Sequence, residues 1–170
     1  MSAIAVFIGA PGAGKTKTGK RVAKALGVPH IDTDKVIVAE HGPIPEIFAE
    51  HGEAHFRRLE REAVVAALAQ DAIVSLGGGA VLDSDTQADL AEVPVVLLTV
   101  SVDGIKARLA EHPDAVQKRP LLADGGFEAW ERLAVQRRPI YEGLADLVVD
   151  TSHRTFDAVA EEVVEWLRRR

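Results

Sequence analysis

The sequence predicts an α/β protein: a parallel sheet with helices on both faces. Three observations carry this. Apolar runs of strand length alternate with helical patterns along the chain. A glycine-rich segment, Gly9-Ala-Pro-Gly-Ala-Gly-Lys-Thr16, joins the first run to the first helix and fits the phosphate-loop pattern G-x-x-x-x-G-K-[ST]. Asp32-Thr-Asp34 and Gly77-Gly78-Gly79 follow the second and third runs. All three special segments therefore fall at carboxyl ends of strands, where open parallel sheets bind ligands.

Taken in order, residues 4–8 form a buried central strand by their apolar continuity. Residues 15–26 form a helix that Gly27 ends in the left-handed cap position. Residues 28–31 are a short second strand delivering Asp32 and Asp34, and 35–40 a short helix stopped by Gly42 and Pro43. Pro45 starts a helix that Gly52 breaks, and a long helix covers about 53–69. Residues 72–76 are the third strand, followed at once by the glycines. Ser84 or Asp85 caps a helix to about Leu90. Residues 95–100 are the clearest strand, and Asp103 caps the helix 104–111. The proline- and glycine-bearing stretch 112–126 is expected to be a mobile lid, open without ligands. A helix over 127–144, a strand at 147–149 and a helix begun by Thr155 or Asp157 complete the chain.

The 170 residues, 47% of them hydrophobic, suit one domain with a packed core. The net charge of −6 argues against nucleic acid or an anionic membrane as partner. No cysteine is present, so neither disulfides nor thiolate metal sites arise. His51 and His55 stand one helical turn apart and read as solvated. A start Met1-Ser2-Ala3 without basic residues, and no run of membrane-spanning length, predict a cytoplasmic protein.

The phosphate loop explains its own residue types. Glycines let successive N–H groups turn inward as a nest for phosphate oxygens, and the helix that follows adds its positive end. Lys15 reaches the outer phosphates, and the Thr16 hydroxyl is the expected Mg²⁺ ligand. Asp32 and Asp34, two apart in an extended segment, would face the nucleotide together. One would hold the magnesium, and Asp32 fits because the third strand ends without an acid. The other would orient a hydroxyl for attack on the γ-phosphate. Asp34 before Lys35 also reads as a helix cap. Three consecutive glycines suggest a ligand approaching the main chain closely, against a plain turn. Arg57 and Glu60 share a helix face, a surface ion pair in the bland reading. Arg119, Arg137, Arg138 and Arg154 are singly ordinary solvated charges; near a polyphosphate they become candidate forks for carboxylate or phosphate.

Together these segments resemble the shikimate kinase family over nearly the whole chain. The motifs are the phosphate loop, Asp32-Thr-Asp34, Phe56-Arg-Arg-Leu-Glu60, Ser75-Leu-Gly-Gly-Gly-Ala80, Arg119-Pro-Leu-Leu122, Arg137-Arg-Pro-Ile-Tyr141 and Val149-Asp-Thr151. The resemblance implies a three-layer, nucleoside-monophosphate-kinase-like fold, strand order 2-3-1-4-5, in a monomer. It implies transfer of the ATP γ-phosphate to the 3-hydroxyl of shikimate, in aromatic amino-acid biosynthesis. By position, Asp34 would hold substrate hydroxyls and act as base, and Lys15 and Arg119 would assist transfer. Arg57 and Arg137 would clamp the shikimate carboxylate, with Glu60 orienting Arg57. Gly77, Gly78 and Gly79 would meet the substrate through their backbone, and Phe48 and Phe56 would wall its pocket. A substrate-binding subregion would cover about residues 33–61. Gly12, Ala13, Gly14, Lys15, Thr16 and Lys17 would cradle ATP, Arg108 and Arg154 would flank its adenine, and Thr16 and Asp32 would hold Mg²⁺.

Lys17 and Val38 depart from the family pattern, which has Ser or Thr and an acid there. Two alternatives stand beside this reading: a related kinase for gluconate or a nucleoside monophosphate, and a nucleotide-binding module without catalysis. The Arg57, Arg137 and triple-glycine set suits a carboxylate-bearing polyol, and intact Lys15, Thr16, Asp32 and Asp34 suit catalysis.

Overall fold

The computed structural model describes residues 1–111 and 126–170. Strand β1 spans Ala5–Ile8, helix α1 Lys15–Leu26, β2 His30–Asp32, α2 Thr33–His41 and α3 Ile44–Leu68. Strand β3, Ile73–Ser75, leads through the three glycines into a 3-10 turn, Ala80–Leu82, and α4, Ser84–Leu90. Then come β4 Val95–Thr99, α5 Val102–Glu111, α6 Gly126–Leu144, β5 Leu147–Asp150 and α7 Phe156–Arg168. All strand pairs are parallel, in the order β2-β3-β1-β4-β5 that the resemblance implied.

Side-chain alternation along the central strands builds the layers. Val6 and Ile8 of β1 face one side with Val74, Val95 and Leu97, where Val64 of α3, Leu90 of α4 and Tyr141 of α6 cover them. Ala5 and Phe7 face the other with Ile73, Val96 and Leu98, beneath Val22 of α1 and Val159 and Val163 of α7. Each such side chain removed from water contributes roughly 1.5–3 kcal/mol, so the two sheet faces dominate the stabilisation. Among the described residues no helix is long and apolar enough to cross a membrane.

Several expected boundaries move, each for a local reason. The second strand begins at His30, not Val28. The Val28 N–H closes α1 by donating to the Ala23 carbonyl at 3.0 Å, and Pro29 has no N–H to offer a ladder. Helix α2 begins at Thr33, so Asp34 lies inside a helix and caps nothing. Asp32 is the cap, accepting from the Lys35 N–H. Asp83, rather than Ser84 or Asp85, caps α4, because its extended backbone lets the carboxylate reach the Thr86 N–H. Ser101, rather than Asp103, accepts from the Gly104 N–H at the start of α5. Thr155 caps α7. Gly52, at φ 80° and ψ 171°, kinks α3 where a break was expected. Of the expected lid over 112–126, only Gly126 falls among the described residues, and Arg119 lies outside them.

Candidate active site

Gly9, Gly12 and Gly14 all take positive φ, at 147°, 89° and 95°, a region that costs most L-residues energy. Two have steric reasons as well. A Cβ on Gly9 would overlap the Leu98 carbonyl oxygen, and one on Gly14 would overlap the Phe156 ring. Gly14 is the left-handed N-cap of α1, whose first turn carries no acid, so the helix presents N–H groups and positive potential to the loop. The Lys15 ammonium arches back to the Gly9 and Ala10 carbonyls at 2.6 and 3.2 Å. Arg108 braces the same loop, donating to the Gly12 carbonyl at 2.7 Å and the Thr151 carbonyl at 2.6 Å. Its guanidinium lies 4.9 Å from the centre of the Phe156 ring, and the Lys17 ammonium lies 5.3 Å from it. Arg154 pairs with Glu162 at 3.3 Å and lines the same cleft.

Beside the loop, the Thr16 hydroxyl donates to Asp32 Oδ2 at 2.5 Å. These are two hard oxygen donors, placed by the end of β2 and the first turn of α1. Asp34 sits next to them. Its carboxyl is pushed above the ordinary carboxylate range, first by burial and then by the charge of Asp32; Lys15 and Arg57 pull it partly back. The two aspartates meet because the chain turns from strand into helix between them, rather than by the alternation of one extended segment.

The acceptor half is assembled from separate stretches. A Cβ on Gly77 would stand 2.6 Å from Asp34 Oδ1, and one on Gly79 would stand 2.5 Å from Arg57 Nη1. Side chains from α2 and α3 thus close on a main chain that carries none. Arg57 Nη1 donates to Glu60 Oε1 at 2.8 Å and Nη2 to Glu53 at 3.4 Å. Glu60 is only 4% exposed, so the pair is not the solvated surface contact of the bland reading. Burial raises the Glu60 carboxyl and Arg57 draws it back. Burial also opposes the Arg57 charge, but Glu60 and Glu53 together outweigh it and lift Arg57 above its usual value. The Phe48 and Phe56 rings lie 4.8 Å apart beside this pair.

One open cleft of about 1390 Å³ joins the two halves. Its lining includes Lys15, Thr16, Asp32, Asp34, Arg57 and Arg137. Phe48 and Val38 are exposed apolar residues on the same wall. The structure therefore brings the expected nucleotide residues and the expected acceptor residues into one space. The alternation argument pointed to no partner for Trp130, Tyr141, Thr151 or Phe156. Trp130 Nε1 donates to the Pro11 carbonyl at 2.7 Å, and the Tyr141 hydroxyl to the Gly78 carbonyl at 2.6 Å. Thr151 accepts from Arg108 and lies 3.0 Å from the Ala13 carbonyl. The usable signal was chemical: a buried Trp or Tyr needs a partner for its polar tip.

Comparisons with known proteins bear on the family and the fold. A family model described as shikimate kinase matches residues 11–168. The shikimate kinase of Salinispora arenicola is 44% identical, with 98% of this chain and 99% of that protein covered. That of Salinispora tropica is 45% identical over the same shares. Among solved structures, the shikimate kinase from Acinetobacter baumannii in complex with shikimate superposes with a TM-score of 0.87 at 26% identity, covering 99% of this chain and 94% of that one.

Proposed function

The chain belongs to the shikimate kinase family, and from that premise we propose that it transfers the γ-phosphate of ATP to the 3-hydroxyl of shikimate. One observation carries the residue-level reading: Asp34, Arg57, Gly78 and Arg137 line a single cleft with the Lys15 loop.

In this mechanism Arg57 and Arg137 hold the shikimate carboxylate, and Glu60 fixes the Arg57 fork through their 2.8 Å bond. The glycine backbone and Asp34 hold the ring hydroxyls. Phe48 and Phe56 flank the ring. The 3-hydroxyl oxygen attacks the γ-phosphorus as the bond to the bridging oxygen of ADP breaks. Asp34 takes the hydroxyl proton, and its raised pKa makes it a better base than an ordinary carboxylate. Lys15 and Arg119 balance the charge on the transferring group, while residues 12–17 cradle the other phosphates. Arg108 and Arg154 border the nucleotide base.

Thr16 and Asp32 would hold Mg²⁺. The fit rests on their adjacent hydroxyl and carboxylate oxygens, and on the crowding of Asp32 and Asp34 carboxylates that a cation would relieve. Bound there, the ion would supply charge neutralisation for the phosphate oxygens. The protein is further read as a cytoplasmic monomer of one domain, which light scattering on a sizing column checks for the monomer.

The test is ADP release in a coupled assay with shikimate, gluconate or a nucleoside monophosphate as acceptor. Shikimate-dependent release supports the reading. Preference for either other acceptor, or ATP binding with no phosphorylated product, overturns it.

A further inference from the structure

Two buried aromatic residues of α6 have no part in the steps above, yet each grips a ligand-facing loop. Tyr141 is 4% exposed, its ring packed in the core under β1, β3 and β4. Its hydroxyl donates to the Gly78 carbonyl at 2.6 Å. The Arg137 guanidinium lies nearby, and its charge partly offsets the burial that raises the Tyr141 pKa. A buried phenol needs a partner for its polar tip, and the Gly78 carbonyl is that partner. Tyr141 therefore holds the glycine main chain, beside which the arginine expected at the substrate carboxylate lies.

Trp130 does the same for the other loop. It is 3% exposed, seated among Ile105, Ala10 and Phe127, and its Nε1 donates to the Pro11 carbonyl at 2.7 Å. The two loops also touch: a Cβ on Gly78 would lie 3.1 Å from Pro11 Cδ and 3.4 Å from Arg137 Nη1. Trp130 and Tyr141 are about three turns apart on one helix. One helix, with Pro139 between the two residues, thus contacts both the phosphate loop and the glycine loop.

We propose that Tyr141 and Trp130 are positioning residues, Tyr141 for the acceptor through Gly78, and Trp130 for the nucleotide through Pro11. The identity of the two ligands rests on the function proposed above. Each residue leaves a loop carbonyl without its donor when the polar tip is removed, and a misplaced carbonyl displaces the ligand contacts beside it. A residue that only filled the core would affect both substrates alike.

Tyr141→Phe keeps the ring and deletes the donor; Trp130→Phe deletes the donor together with part of the indole. Steady-state kinetics would give KM for each substrate, with thermal melting to confirm folding. Tyr141→Phe is expected to raise the KM for shikimate about ten-fold and that for ATP less than about two-fold. Trp130→Phe is expected to show the opposite split. Folded variants with both KM values unchanged, or both raised equally, overturn the proposal; if one variant fails to fold, the split in the other decides. Wild-type protein that releases no ADP with shikimate sinks this proposal together with the proposed function. Shikimate-dependent wild-type turnover without the split sinks this proposal alone.

Discussion

The two halves of the cleft are built on opposite plans. The nucleotide half is eight consecutive residues proposed to bind through their backbone, and its cations are braced against main-chain carbonyls, as Lys15 and Arg108 are. The acceptor half draws Asp34, Arg57, Gly77 to Gly79 and Arg137 from four separate stretches, and its charges are buried against one another. A local backbone motif has its conformation written in adjacent residues, although Trp130 and Arg108 brace it from afar. An assembled pocket of buried charges depends on each partner being present.

Asp34 gives the sharpest contrast. Asp34→Asn should lower kcat about 10²–10⁴-fold, the usual contribution of a positioned base. It should also melt higher than wild type at pH 7. The folded-state pKa of Asp34 is raised, so its neutral form is favoured on folding: its contribution is full below the ordinary value of 3.8 and is lost as pH rises through the folded value. Asparagine escapes that loss, and the advantage should vanish below about pH 3.8. A variant no more stable at pH 7 would mean that the pocket does not burden this carboxylate.

Arg57→Ala should raise the shikimate KM about 100-fold, since it removes a half-buried, hydrogen-bonded charge and leaves the buried Glu60 without it. ATP affinity should hardly move, and the melting temperature should fall. Arg57→Ala with equal effects on both substrates would dissolve the division into halves. Gly14→Ala tests the other side. It asks a side chain to take φ 95° against the Phe156 ring, so the ATP KM should rise about ten-fold while shikimate binding persists. Lys17→Ala should have the smallest effect. An exposed cation is worth about 0.2–1 kcal/mol, or at most about five-fold in ATP affinity. A larger loss would show that Lys17 does more for the nucleotide than an exposed charge does.

This difference in plan explains what the sequence made legible. The phosphate loop was readable outright, because glycine spacing encodes backbone conformation directly. The layer order followed from alternating apolar runs, although the strand order needed the family resemblance. Helix caps were placed one or two residues late at Asp83 and Ser101, because the cap is set by which residue keeps extended backbone. The joint position of Asp32 and Asp34 was anticipated for the wrong reason, since one ends a strand and the other lies in a helix. Burial of Glu60 was not readable, because i, i+3 spacing says nothing of what covers the pair. Trp130 and Tyr141 were silent for the same reason: their partners, Pro11 and Gly78, lie far away in the chain.

The central claim is that nucleotide and acceptor meet at Asp34. A crystal structure with ADP and shikimate bound tests it directly. The account predicts the shikimate 3-hydroxyl within hydrogen-bonding distance of the Asp34 carboxylate, its own carboxylate between Arg57 and Arg137, and the ADP phosphates on the Lys15 loop. Shikimate seated elsewhere, with Asp34 touching neither ligand, would contradict it.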